Sequence, residues 1–182
     1  MRDTIIAAVD ELARSRGWAA TTMSQVAEVA GVSRQTVYNE FGSRQTLVEA
    51  YVTHEVEGLV AEVETAVHEH ADDPSAALLA AFGLFLRLSS DEPIIRIIVA
   101  DADSSHLMRL LTNLGTSVAD DRIVRLIVDV WPQFSTQDAE LLADSLVRLA
   151  ISHAVAPAAD PETTSRNVTR LVGPLIHEIL GT

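Results

Sequence analysis

Residues 21–44, TTMSQVAEVAGVSRQTVYNEFGSR, constrain the chain more than any other stretch, because two helix caps and a glycine stop crowd into a short span. Thr22 suits the N-cap of a first short helix, its hydroxyl accepting from free first-turn amides while Gln25, three residues on, reaches back as in a capping box. Gly31 ends that helix by supplying a left-handed conformation at no Cβ cost, and Val32 is placed to fold back onto it. Ser33 caps the next helix at once, so the corner between the two is tight, as a helix-turn-helix requires. Val26, Ala30, Val37 and Phe41 fall on inward faces, and Ala27 is small where the second helix must cross the first. The outer face of that second helix carries Arg34, Gln35, Thr36, Tyr38 and Asn39, a dense row of hydrogen-bonding groups of the kind that meets base edges in the major groove. The bland reading of the same residues is a capped helical hairpin with a solvated polar face.

The spacing of these residues resembles that of the TetR family of bacterial transcriptional regulators. The pattern T-x-x-x-I-A-x-x-A-G-V-S-x-x-x-[ILV]-Y-x-x-F-x-[SN]-[KR]-x-x-L is met at Thr22, Val26, Ala27, Ala30, Gly31, Val32, Ser33, Val37, Tyr38, Phe41, Ser43, Arg44 and Leu47. It covers about the first 50 residues; beyond them the likeness is one of size and helical layout. The resemblance implies that Thr22, Ser33, Arg34, Gln35, Thr36, Tyr38, Asn39 and Arg44 contact DNA. Two positions depart from it. Glu40 stands where Tyr or His is common, and an anion there repels phosphate unless a neighbouring Arg pairs with it. Arg44 replaces a common Lys and opposes the helix dipole in the first turn of a long helix, a placement that phosphate contact would explain.

Charge bears on this directly, since a net charge of −13 argues at first sight against a nucleic-acid partner. The acidity is unevenly spread: residues 1–50 hold five Arg and six acidic residues, residues 51–182 eight Arg and twenty. An acidic body limits non-specific DNA binding to the face that the N-terminal unit presents. The chain has neither lysine nor cysteine, so its fixed side-chain cations are guanidinium groups and no thiolate or disulfide chemistry is available. No apolar run approaches 18 residues and the start lacks a signal-peptide pattern, from which a soluble, cytoplasmic protein with no membrane contact is expected.

Along the chain, Asp3 is expected to cap a first helix with Ile5, Val9 and Leu12 inward, stopped by Gly17, with Trp18 packing back as an anchor. Arg14 and Arg16 sit favourably at its C-terminus, which accounts for them without DNA. A long helix should run from Ser43 to about Glu69. Three acid–proline pairs, Asp73-Pro74, Glu92-Pro93 and Asp160-Pro161, each suit a helix start. They predict helices at roughly 74–89, 93–100, 104–131, 136–155 and 161–180, with Gly115 able to split the fourth. The fold expected is all-α, with a three-helix helix-turn-helix unit (residues 1–46) joined to a helical ligand-binding and dimerisation domain (47–182).

The last two helices are apolar over wide faces, through Leu142, Leu146 and Leu149 on one and Val168, Leu171, Leu175 and Ile179 on the other. That surplus points to a partner, and the resemblance implies pairing with the same helices of a second copy, a homodimer whose two-fold axis mirrors a palindromic operator in double-stranded DNA. The middle helices hold Phe82, Phe85, Leu86, Ile97, Ile98, Leu107, Leu110, Leu111, Leu114, Val128 and Trp131, which are ordinary core residues or the wall of a pocket. Polar groups among them, Asp101, His106, Asn113, Arg148 and His153, favour a site for a largely hydrophobic small-molecule effector. His68 and His70 point to different sides of a helix and read as a solvated end rather than a metal site. No cofactor, metal or catalytic motif is expected. The readings left open are a ligand-responsive dimeric DNA-binding repressor and, favoured by Glu40 and the acidic total, an all-helical small-molecule-binding or protein-interaction module with a degenerate DNA face.

Overall fold

The computed structural model describes residues 1–91 and 122–181, with Arg109, Asn113 and Ser117 as helical positions between them. All regular elements among the described residues are helical: α1 (Arg2–Arg16), a 3-10 turn (Trp18–Ala20), α2 (Met23–Val29), α3 (Arg34–Phe41), α4 (Arg44–Glu69), α5 (Pro74–Asp91), α6 (Val124–Val130), α7 (Thr136–Val155) and α8 (Pro161–Leu180). Two compact units divide between Glu57 and Gly58, inside α4. The expected helices at 93–100 and over most of 104–131, and the break at Gly115, lie outside the described residues.

In the first unit, α1, α2, α3 and the first half of α4 close on one core. Ile5, Val9 and Leu12 from α1, Val26 and Ala27 from α2, Val37 and Phe41 from α3, and Leu47, Val48, Tyr51 and Val52 from α4 are all buried in it. Trp18 is buried too, the anchor expected of it. Tyr51 places its hydroxyl where it donates to Asp10 Oδ1 at 2.9 Å, so a fully buried polar tip is satisfied by α1. Asp3 is not the cap of α1. The helix already begins at Arg2, with Met1 at the N-cap and Asp3 within the first turn, where its charge still complements the dipole.

In the second unit, α5 packs on α7 and α8, and α6 on α7. Leu78, Phe82 and Leu86 of α5 meet Val124 and Ile127 of α6, Ala139, Leu142, Ala143 and Ala150 of α7, and Val168 and Ile176 of α8 in one cluster. The α5–α8 approach is close because it is lined by small residues: a Cβ at Gly83 would stand 3.3 Å from Ser165 Oγ. Near the start of α5, Ser75 Oγ and His177 Nε2 share a hydrogen bond of 3.0 Å. A smaller cluster joins Ala66 and Val67 of α4 to Ala81 and Leu126, and Trp131 donates its indole N–H to Ala71 O at 2.8 Å. Arg122 forms a forked ion pair with Glu64.

Both described acid–proline pairs start helices as expected. Asp73 Oδ1 accepts from Ala76 N at 3.0 Å and Asp160 Oδ1 from Thr163 N at 2.8 Å, with Pro74 and Pro161 leading their helices. The Thr163 backbone amide, and then its side chain, hold the Asp160 carboxyl below the usual carboxylate range. Among the described residues, no helix is long and apolar enough to cross a membrane.

Candidate nucleic-acid interface

The segment 21–44 folds as its caps dictate. Thr22 Oγ1 accepts from Gln25 N at 3.3 Å, and Gln25 Oε1 accepts from Thr22 N at 2.9 Å, a complete capping box. At the other end of α2, Val32 N donates to Ala27 O at 2.9 Å and Gly31 N to Glu28 O at 3.2 Å, the two bonds of a Schellman motif. That motif needs Gly31 at φ +66°, which a side chain would strain. Ser33 Oγ then accepts from Thr36 N at 3.0 Å and starts α3. With Val37 and Phe41 locked in the core, the opposite face of α3 is held outward by packing rather than by choice of rotamer.

On that face Arg34, Gln35, Tyr38 and Asn39 are exposed, and Thr36 is half-buried. They are organised in pairs one turn apart. The Arg34 guanidinium lies 5.2 Å from the Tyr38 ring centroid, with Nη2 3.4 Å from the phenol oxygen. Gln35 Nε2 donates to Asn39 Oδ1 at 2.8 Å, leaving the Gln35 carbonyl and the Asn39 amide as an adjacent acceptor and donor. One acceptor and one donor side by side is the complement of an adenine edge.

Arg44 has a role that the sequence reading did not include. Its Nε donates to Thr21 O at 3.0 Å and Nη2 to Trp18 O at 2.7 Å, with the guanidinium 4.3 Å from the Trp18 ring centroid. The cation that opposes the dipole of α4 thus serves the carbonyl end of the preceding 3-10 turn. Nη1 is the nitrogen these bonds leave over. Glu40 meets Arg2, Nη1 to Oε1 at 3.4 Å, and the Arg2 guanidinium lies 4.7 Å from the Phe41 ring centroid. The required neighbour comes from α1, which sequence spacing alone does not reveal.

The residues expected to hold a ligand divide. Phe82 and Leu86 are buried in the α5–α8 cluster, with Phe85 and Trp131 packed against it. Arg148 is on the surface, paired with Asp144 one turn away through Nε at 2.9 Å, the hydrogen bond that holds Asp144 below the usual carboxylate range. His153 is half-buried on α7. Ile98, Asp101, His106, Leu110 and Leu114 lie outside the described residues. Ser89, absent from the sequence reading, is 1% exposed, and its Oγ has no hydrogen-bond partner among the described residues. It follows Phe82 and Leu86 at helical spacing, a signal available in the sequence.

The residues expected at a dimer contact divide as well. Leu142 and Val168 are buried in the core of their own unit, and Leu146, Leu149 and Ile179 pack against it. Leu171 is 74% exposed and Leu175 45%, joined by Leu141 at 64%, which the sequence reading did not include. Among the described residues no group of three His, Asp or Glu side chains is gathered to hold a metal ion.

Residues 5–51 match the family described as "Bacterial regulatory proteins, tetR family", and residues 73–174 match "Bacterial Tetracyclin repressor, C-terminal domain". The chain is 30% identical over 177 residues to the HTH-type transcriptional regulator AlkX of Mycobacterium tuberculosis, covering 96% of this chain and 84% of that one. The crystal structure of the TetR family repressor AlkX from Dietzia sp. strain DQ12-45-1b, implicated in biodegradation of n-alkanes, superposes with a TM-score of 0.83 at 33% identity, covering 97% of both chains. FadR from Thermus thermophilus, solved in complex with lauroyl-CoA, shares the fold at a TM-score of 0.62 and 22% identity, over 94% of this chain and 93% of that one. The capped helix-turn-helix and the helical body match along nearly their whole length, and the chain belongs to the TetR family of bacterial transcriptional regulators, as a DNA-binding protein and not an enzyme.

Proposed function

We propose that the protein is a homodimeric repressor that binds a palindromic operator and leaves it when a largely hydrophobic small molecule occupies the helical body. Residues 1–46 bind DNA in this reading, through Thr22, Ser33, Arg34, Gln35, Thr36, Tyr38, Asn39 and Arg44, and residues 47–182 bind effector and partner. The observation that carries it is α3: a helix anchored by Val37 and Phe41 that holds the coupled Gln35–Asn39 and Arg34–Tyr38 pairs outward. Glu40 no longer favours a degenerate face, because Arg2 pairs with it.

The effector class rests on the apolar character of the helical body around Phe82, Phe85, Leu86 and Trp131, beside which Ser89 Oγ has no hydrogen-bond partner among the described residues. The Dietzia relative's link to n-alkane biodegradation supports apolar straight-chain molecules or their oxygenated derivatives. A ligand shifts a two-state regulator only by binding one state better. Here α4 is the route, one helix contributing residues to both units, and its movement would change the roughly 34–36 Å spacing of recognition helices that one DNA turn demands.

The test is a mobility-shift assay on the promoter regions of its own and adjacent genes, followed by titration of the complex with n-alkanes, alkanols, fatty acids, acyl thioesters and hydrophobic cations. A discrete shift reversed by one apolar class is the expected result. No shift on any selected duplex refutes DNA regulation, and a ligand that raises the melting point without weakening DNA binding refutes the coupling.

A further inference from the structure

The recognition helix carries one cation, Arg34, and one anion, Glu40, so by itself it offers DNA no net charge. A carboxylate on its last turn is a handicap at a polyanion. An unpaired charge about 6 Å from a phosphate, at an effective dielectric of about 40 for a partly dried interface, lowers the binding constant about tenfold. Arg2 is the group that meets it. Its Nη1 lies 3.4 Å from Glu40 Oε1 while its guanidinium stands 4.7 Å from the centroid of Phe41, whose ring is locked in the core. Two anchors thus hold one cation beside α3, from a residue of α1 that lies 38 positions before Glu40 in the chain.

Folding stability does not explain the arrangement. Both side chains are well exposed, at 52% and 36%, and exposed ion pairs of this kind add little to stability. The charge does more on the other side of the pair, where DNA is bound. We propose that Arg2 is an affinity-determining residue of the DNA interface that acts through Glu40, keeping its carboxylate neutralised so that the end of α3 can approach a phosphate. Phe41 positions the guanidinium for this, by the attraction of a cation to a ring face. The inference rests on the proposed DNA binding and goes beyond it, because it assigns the role to a residue of α1, outside α2, α3 and the contacts named above.

The experiment takes duplexes selected by the unmodified protein from a random pool, so failure of selection would count against DNA recognition itself, separately from the role of Arg2. Affinity is then measured for the unmodified protein, Arg2→Ala, Glu40→Gln and the double variant, at about 50 and 200 mM salt. Arg2→Ala should bind about tenfold more weakly at the lower salt, and about threefold or less more weakly when Glu40 is already Gln. Glu40→Gln alone should bind as well as the unmodified protein or better. The penalty of Arg2→Ala should shrink at the higher salt, where the repulsion is screened, which a loss of structure would not do. Arg2→Lys keeps the charge and should retain affinity to within about threefold, so the proposal stays testable if the alanine variant folds poorly. An Arg2→Ala penalty equal in both Glu40 backgrounds would mean that Arg2 acts on DNA directly, and no penalty in either would remove it from the interface; each result overturns the proposal.

Discussion

Arg44 bonds two backbone carbonyls and covers Trp18, so its substitution removes more than a charge. Loss of those bonds leaves the Thr21 carbonyl without its Arg44 donor and the Trp18 carbonyl with the Thr21 amide alone, and Arg44→Ala should destabilise the protein by about 1–3 kcal/mol as well as weaken DNA binding. Tyr38→Phe separates the two effects, because it deletes a hydroxyl from an exposed ring: its melting point should stay put while its affinity falls across all operator sequences. Changes at Gln35 should instead alter base preference, measured by competition among duplex variants. Ser89 makes the opposite prediction. A buried hydroxyl without a partner carries a desolvation cost, so Ser89→Ala should stabilise the unliganded protein by about 1 kcal/mol, while weakening binding of alkanols more than of alkanes. If the variant melts lower than the original, the hydroxyl is satisfied in solution and is not a ligand contact.

The helices show the same separation between local and distant causes. The Asp160 cap and Pro161 set the start of α8, and Gly181 at φ +71° closes it. Nothing in that helix decides which of its leucines is covered, and the body leaves Leu171 and Leu175 open while taking in Val168 and Ile176. An exposed leucine pair on α8, with Leu141 on α7, is the part of the surface that a second copy is proposed to cover. Leu171→Asp or Leu175→Asp should then yield monomers by light scattering, since a carboxylate desolvated in an apolar contact costs several kcal/mol. Leu142→Asp should unfold the unit instead, because that residue lies in its core. An unmodified protein that is monomeric at micromolar concentration would count against the dimer.

Over the whole chain the distribution of charge sets how DNA is approached. The first 50 residues are close to neutral, at −1, while the rest carries −12. Few cations lie at the recognition helix to neutralise phosphate: among the described residues Arg34 is engaged with the Tyr38 ring and hydroxyl, and two nitrogens of Arg44 are engaged with backbone carbonyls. With about two phosphate-neutralising Arg per subunit, the slope of log K against log salt for a dimer should be roughly −4. A slope near −8 would reveal cations beyond those named. The acidic body makes a second demand, that binding to unrelated duplex be weak even at low salt, and the same titration reads it.

The sequence by itself determined most of what depends on neighbours within four or five residues, the start of α1 excepted. The capping box at Thr22, the Ser33 cap, the Schellman turn at Gly31 and the acid–proline starts of α5 and α8 are local hydrogen-bond problems with one good solution each, and the polar row of α3 follows from periodicity once Val37 and Phe41 point inward. Tertiary structure decided the rest, because burial and pairing join residues far apart in the chain. Periodicity identifies Leu142, Val168 and Leu171 alike as apolar, and only packing of α5 against α7 and α8 buries the first two and leaves the third in water. Arg148, expected at the ligand, is solvent-exposed on α7 and paired with Asp144 one turn away. The sequence places a cation at position 44 and an anion at position 40; the carbonyls of Trp18 and Thr21 and the guanidinium of Arg2 that answer them are brought in by the closing of the core.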